Sequence, residues 1–255
     1  MKEVFDFLAQ LSQNNNREWF NENKRTYLQV RGKFETFAEQ LIGKIAGWDE
    51  DIANSNLQVK DCTYRIYRDT RFSKNKEPYK THMGIFICKG GKKSPYAGYY
   101  LHLEPPATYG GILEDGILPD GSDACHGKGV HTQTPLSMGG CFIIAGTYRY
   151  ESKVLRSIRD EISVNGDSFL KAIQEAEGFY PEESEMLRKV PAEFSFAPDK
   201  WHTLLRYKTF ALIKPIDVEY VCTPDALDNI AGDFKKCCDY LKKLNMAIEY
   251  AYDQD

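Results

Sequence analysis

The chain has 255 residues, 42% of them hydrophobic and 13% aromatic, enough to bury a substantial core in one large domain or two small ones. A net charge of −4 and a pI near 5.8 argue against a general binder of nucleic acid or anionic membrane, so any such role has to come from a local patch. No run of about 18 apolar residues occurs, so no transmembrane helix is expected.

The N-terminal Met-Lys-Glu-Val-Phe-Asp-Phe-Leu carries acids where a signal peptide needs an apolar core, which predicts a cytoplasmic protein. The seven cysteines agree with that. Their number is odd, Cys237 and Cys238 are adjacent, and no Cys-x-x-Cys occurs, so reduced thiols, buried or half-buried, are expected.

Along the chain, Val4, Phe5, Leu8 and Leu11 predict a helix over Lys2 to Leu11. Asn14, Asn15 and Asn16 stop it and offer an N-cap for the next helix. That second helix is expected from about Arg17 to Ala46, with Phe20, Tyr27, Val30, Phe34, Phe37, Leu41 and Ile45 at three- and four-residue steps. Gly32 weakens its middle and Gly47 is its stop. Val59 to Tyr67, rich in β-branched and aromatic residues, reads as a strand. Met83 to Cys88 and Gly98 to Leu103 read as two more, joined through Gly90-Gly91-Lys92-Lys93.

Pro105 to Gly140 is rich in glycine and proline and poor in apolar anchors. It reads as a lid, a surface hairpin or a disordered insertion. Cys141 to Tyr148 is a further strand. Helices are expected over Ser152 to Ser163 and Asp167 to Glu177, then a loop around Pro181 and a strand over Phe210 to Ile213 before Pro215. Thr223-Pro224 reads as the start of a last helix toward Tyr250, with Leu227, Ile230, Phe234, Cys238, Leu241 and Ile248 inward. Helices, an antiparallel meander and helices again predict an α+β fold, a central mostly antiparallel sheet flanked by long N- and C-terminal helices.

Three stretches together are distinctive: Asn-Asn-Asn-Arg-Glu-Trp-Phe at 14–20, Arg-Ile-Tyr-Arg-Asp-Thr-Arg-Phe-Ser-Lys-Asn-Lys-Glu-Pro-Tyr-Lys-Thr at 65–81, and Gly-Tyr-Tyr-Leu-His-Leu-Glu-Pro at 98–105. With Leu155-x-x-Ile158-Arg159, Leu187-Arg188-Lys189-Val190-Pro191 and the run from Leu204 to Phe210, the chain resembles domain-of-unknown-function family 2461, a bacterial family with fungal and plant relatives. The resemblance covers nearly the whole chain. It implies a single α+β domain over residues 1–255 with an insertion at about 106–138. It brings no reaction, substrate or cofactor with it. Members of the family commonly pass from the Tyr-Tyr-Leu strand to a Gly-Gly turn by a short connection; here about thirty residues intervene before Gly139-Gly140.

The densest charge lies in Tyr64 to Thr81, where Arg65, Arg68, Arg71, Lys74, Lys76 and Lys80 face only Asp69 and Glu77. Guanidinium forks suit phosphate or carboxylate, and lysines add mobile charge. Arg65, Arg68, Asp69, Arg71, Lys76 and Lys80 are therefore the candidate ligand-binding residues, for a small anion. The alternative is structural: ion pairs that pin the loop to the long helix through Glu18 and Glu22, with Phe72 and Tyr79 as core anchors. In that case the protein is a non-enzymatic interaction module that meets a protein partner through its aromatic surface or the 105–140 stretch. Nucleic acid is a weaker third partner.

Period-two alternation places Tyr100, His102 and Glu104 on one face of their strand, opposite Tyr99, Leu101 and Leu103. That face supplies the candidate acid–base residues, or simply the wet side of a sheet. No metal site is read: Cys125-His126-x4-His131 is the closest pattern, and it lacks a second cysteine nearby. Neither a Gly-x-Ser-x-Gly elbow nor a P-loop is present.

Overall fold

A computed structural model describes residues 1–71, 75–106, 109, 140–147 and 150–253. The insertion at 106–138, with Cys125, His126 and His131, lies almost wholly outside them, as do Phe72 and Lys74. The elements in chain order are α1 (Lys2–Gln13), α2 (Arg17–Glu22), α3 (Lys24–Ala46), α4 (Glu50–Asn54), α5 (Val59–Cys62), β1 (Met83–Cys88), β2 (Gly98–Leu103) and β3 (Cys141–Thr147). Then come α6 (Ser152–Glu175), β4 (Tyr180–Pro181), α7 (His202–Arg206), β5 (Phe210–Ile216), α8 (Val218–Cys222), α9 (Ala226–Lys236) and α10 (Cys238–Asp253). The strands form one antiparallel sheet in the order β1-β2-β3-β5-β4. The fold is α+β, as the order of elements predicted. Among the described residues no helix is long and apolar enough to cross a membrane.

One hydrophobic cluster joins the helices to one face of the sheet. Ile85, Ile87, Tyr99, Leu101, Leu103, Ile143, Ala145 and Leu212 point into it. The alternate residues Phe142, Ile144, Ala211 and Ile213, with Tyr100 packed against them, form a second cluster on the other face. Tyr100 and His102 therefore belong to the opposite side of the sheet from the helical core.

Several expectations need correction. The helix predicted over 17–46 is two helices. Asn16 caps the first by accepting from Trp19 N at 2.9 Å, and the chain breaks at Asn23, whose side chain donates to Trp19 O at 2.9 Å. The segment 59–67 is not a strand. Asp61 reaches back to accept from Gln58 N at 3.1 Å, which closes a helical turn over Val59–Cys62 before the chain extends. The two helices expected between Ser152 and Glu177 are one, kinked at Asn165, where Gly166 leaves the space that the Trp201 indole fills. The last helix starts at Ala226 rather than Pro224 and breaks at Cys237.

Pro215 lies inside β5, although it was expected to follow the strand's end. Glu182 N donates to Ala211 O at 2.9 Å, so the odd-numbered residues of β5 aim their backbone groups toward β4. Pro215 falls beyond the two residues of β4 on that side, where the missing N–H interrupts no ladder. The loop expected around Pro181 is β4 itself. Of the described cysteines Cys62, Cys88, Cys141 and Cys237 are buried and Cys238 half-buried, whereas Cys222 is exposed.

Candidate functional site

The cationic run is a loop closed by a short two-stranded stem. Arg68 N donates to Pro78 O at 2.9 Å, Lys80 N donates to Ile66 O at 2.8 Å, and Tyr67 bridges Tyr79. The stem is held to the N-terminal helices by Asn15, whose Nδ2 donates to Tyr79 O at 3.0 Å and whose Oδ1 accepts from Tyr79 N at 3.1 Å. Phe20 stacks on the buried Tyr79 ring at 4.0 Å. Among the described residues neither Glu18 nor Glu22 forms an ion pair, so the expected tie is made by an amide and a ring rather than by carboxylates.

The six predicted ligand residues divide. Arg71 Nη2 pairs with Asp69 at 2.7 Å on the exposed side, and that hydrogen bond pulls the Asp69 carboxyl down to about 2. Lys76 Nζ donates to Thr70 O at 3.0 Å. These three serve the loop itself. Arg68 lies 3.7 Å from Glu77 and turns toward the sheet with Lys80. Arg65, exposed, lines a cleft of about 170 Å³ together with Tyr64, Lys60, Arg31 and His82. Lys92 is half-buried and donates to Thr63 O at 2.5 Å.

Lys80 is the unusual member. It is half-buried, its ammonium sits 5.4 Å from the centre of the Tyr64 ring, and among the described residues it has no carboxylate partner. Burial, followed by the charges of Arg65 and Arg68, holds its pKa below the ordinary lysine value.

Beside these cations stands the polar face of β2. Tyr100 Oη is 3.0 Å from His102 Nδ1, and His102 Nε2 is 3.2 Å from Glu104 Oε2. Thr81 Oγ1 donates to Glu104 Oε1 at 2.7 Å. His102 is 3% exposed and stacks on Phe142 at 4.4 Å with the planes 6° apart. The register explains the assembly. His102 faces Gly84 on one side and Phe142 on the other. A side chain at Gly84 would start 2.7 Å from the Tyr100 hydroxyl, so glycine there makes room for the tyrosine to reach the imidazole.

The same register, continued one step past Met83↔Leu103, sets His82 opposite Glu104. Its ring lies 4.6 Å from that of His102. Burial, then the neighbouring His102, depresses the His82 pKa to about 4, with Lys80 and Arg68 adding to the effect. Its imidazole is neutral at pH 7. Glu104 stays below the usual carboxylate value. Burial raises it, but the hydrogen bonds from His102 and Thr81 outweigh that. The donor atoms of His82, His102 and Glu104 all fall within 4.8 Å of one another, close enough to share an ion. Sequence reasoning found Tyr100, His102 and Glu104 on one face and missed His82, Thr81 and Gly84. The signal for them was the hairpin register, which the Gly90-Gly91 turn sets.

These features define an α+β protein with a partly buried His/Glu group at the open end of a hairpin, flanked by a loop of cations. The chain belongs to the conserved hypothetical protein family DUF2461, whose model matches residues 3–113 and 123–242. The break between the matched segments falls inside the glycine-rich stretch and is narrower than the insertion expected at 106–138. No curated protein and no solved structure matches the chain.

Proposed function

We propose that this protein is a cytoplasmic binder of a small phosphorylated or carboxylated molecule. Arg65, Arg68 and Lys80 hold the anion, and Tyr100, His102 and Glu104 are the nearest groups able to move a proton if the ligand is turned over. The observation that carries this reading is Lys80, a half-buried ammonium crowded by two guanidiniums with no carboxylate among the described residues to balance it. An arrangement of like charges is costly when empty and is relieved by an anion. A loop built only for stability would place a carboxylate there. Asn15, Tyr79, Asp69 and Arg71 hold the loop in shape, which accounts for the structural side of the motif.

The test separates the two roles by stability. Lys80→Met keeps the stem of the side chain and removes its charge. The empty variant is expected to melt at or above the wild-type temperature, because it sheds like-charge crowding. Inorganic phosphate and a panel of phosphorylated and dicarboxylate metabolites are expected to raise the wild-type melting temperature by mass action. In the variant the affinity of any hit should fall about 10- to 100-fold, the worth of one charge-assisted contact. A variant that melts well below wild type, or a wild type that no anion stabilises, would instead assign the whole motif to holding the fold.

A further inference from the structure

We infer that His82, His102 and Glu104 form a binding site for one divalent transition-metal ion of the zinc or iron class. The inference stands on the arrangement of these side chains and does not depend on the anion reading.

Two imidazoles and one carboxylate are a donor set suited to such ions, and three protein ligands leave coordination positions open. The spacing fits. Donors about 2.1 Å from a tetrahedral ion lie roughly 3.4 Å apart; His102 Nε2 and Glu104 Oε2 are already 3.2 Å apart, and all three donors lie within 4.8 Å. A turn of the His82 ring closes the remainder.

The surroundings supply what a metal-binding imidazole needs. His102 is clamped between Phe142 and His82, which fixes its plane. Tyr100 Oη reaches Nδ1, so Nδ1–H can donate to it and leave the Nε2 lone pair aimed at the ion. Thr81 orients Glu104 by its hydrogen bond. Such outer partners are what hold ligands in place around metal ions. His102 Nε2 and Glu104 Oε2 lie at hydrogen-bond distance; a bound ion would sit between them, with the single imidazole proton held on Nδ1.

His82 supplies the observation that a hydrogen-bonded trio alone would not. Among the described residues no hydrogen-bond partner occupies its ring nitrogens, and the half-buried ring lies beside that of His102. One of its nitrogens lies within 4.8 Å of both a His102 nitrogen and a Glu104 carboxylate oxygen. His82 also lines the 170 Å³ cleft, so the open coordination positions face a space that a water molecule or small ligand can reach.

The charge around the group selects among ions. Arg68 and Lys80 act on His82 from nearby, and a single carboxylate is present. Magnesium and calcium rely on several oxygen ligands and their charge, which this group lacks. Zinc-class ions gain most of their affinity here from nitrogen lone pairs.

The experiment is titration of the chelator-stripped full chain with Zn²⁺, followed by competition with a chromophoric chelator, and with Co²⁺, followed by its visible absorption. One ion per chain is expected, with a Co²⁺ spectrum of nitrogen and oxygen ligands. His82→Asn, at a half-buried position outside the hydrophobic core, is expected to weaken binding at least 100-fold with unchanged circular dichroism. Glu104→Gln should do the same. Tyr100→Phe should weaken it about 10-fold, as the loss of an outer partner does. Lys80→Met should bind the metal at least as tightly as wild type, since it removes a nearby positive charge, which keeps this result separate from the anion test. Failure to bind one Zn²⁺ with a Kd below about 10 μM, or binding that survives His82→Asn and Glu104→Gln but is lost in His126→Ala or Cys222→Ser, would overturn the inference.

Discussion

Gly146→Ala is expected to remove a large share of the stability of the fold, while Gly140→Ala, six residues away at the head of the same strand, is expected to cost about 1 kcal/mol. Both glycines have positive φ, +134° at Gly146 and +99° at Gly140, and any side chain is disfavoured there. They differ in what a Cβ would meet. At Gly140 nothing among the described residues lies within 4 Å. At Gly146 a Cβ would lie 2.1 Å from the carbonyl oxygen of Phe210 and 2.8 Å from Ala211 Cα. The obstacle is the backbone of β5, which no rotamer can move aside. β3 pairs through this point with β2 on one side, at Gly98, and β5 on the other, at Ala211, so relief requires parting the central strands. The cost should be at least 4 kcal/mol, a large share of the 5–15 kcal/mol that typically separates folded from unfolded states. Urea unfolding of the two variants decides it. Equal losses would mean that the dihedral alone matters and that the strands can yield.

The second large effect is expected at Asp233. Its carboxylate is 5% exposed and lies under β5. It accepts from Lys214 Nζ at 2.6 Å, Tyr220 Oη at 2.6 Å and Lys236 Nζ at 3.2 Å. Burial raises its pKa, yet the three hydrogen bonds together hold it below the ordinary carboxylate value. Asp233→Ala leaves the partly enclosed Lys214 ammonium without its counter-charge, and breaking a buried pair from one side costs about 3 kcal/mol. Removing both charges in Asp233→Ala/Lys214→Met should recover a good part of that. The sign of the pH effect follows from the lowered native pKa. The unfolded chain takes up the proton first, near pH 4. The contribution of Asp233 is therefore complete above that value and lost as the pH falls through the native pKa. The Asp233→Ala protein should lack this part of the acid limb. A double variant no more stable than Asp233→Ala would reject the pairing account.

The parts of the fold that the sequence made legible are those in which one period dominates. Met83–Cys88 and Gly98–Leu103 were expected with the bounds they have, because alternation and a double-glycine turn act together there. The segment 59–67 misled because β-branched side chains argued for a strand, whereas the hydrogen bond from Gln58 N to Asp61 made a helical turn first. A local capping contact outweighed composition. Asn23 broke the long helix for a similar reason: its side chain bonds backward to Trp19 O, and helical periodicity on either side conceals such a break.

The candidate site divides along the same line. Tyr100, His102 and Glu104 lie on one strand, so period two alone brings them together. His82 comes from the chain just before β1, and its place opposite Glu104 depends on register, which neither strand carries by itself. The burial of Lys80 depends on the other arm of its loop, Tyr64 to Arg68, folding back on it, so its formula charge gave no sign of it. Asn15, separated from Tyr79 by 64 positions, is legible only in three dimensions.

The stem that closes the cationic loop has a consequence for solubility. β1 is the outermost strand of the sheet, and its free margin is met by Thr63, which bridges Ile85, just ahead of the stem. An uncovered outer strand is a template on which other chains add, and proteins shield such strands with charge or with a covering segment. Here the segment leading into the loop does both. Loosening the stem at Asn15 or Tyr79 therefore bares an edge that is open to intermolecular β-pairing. The loop that gathers the cations is thus also a guard against self-association, which limits how far it can open to admit a ligand.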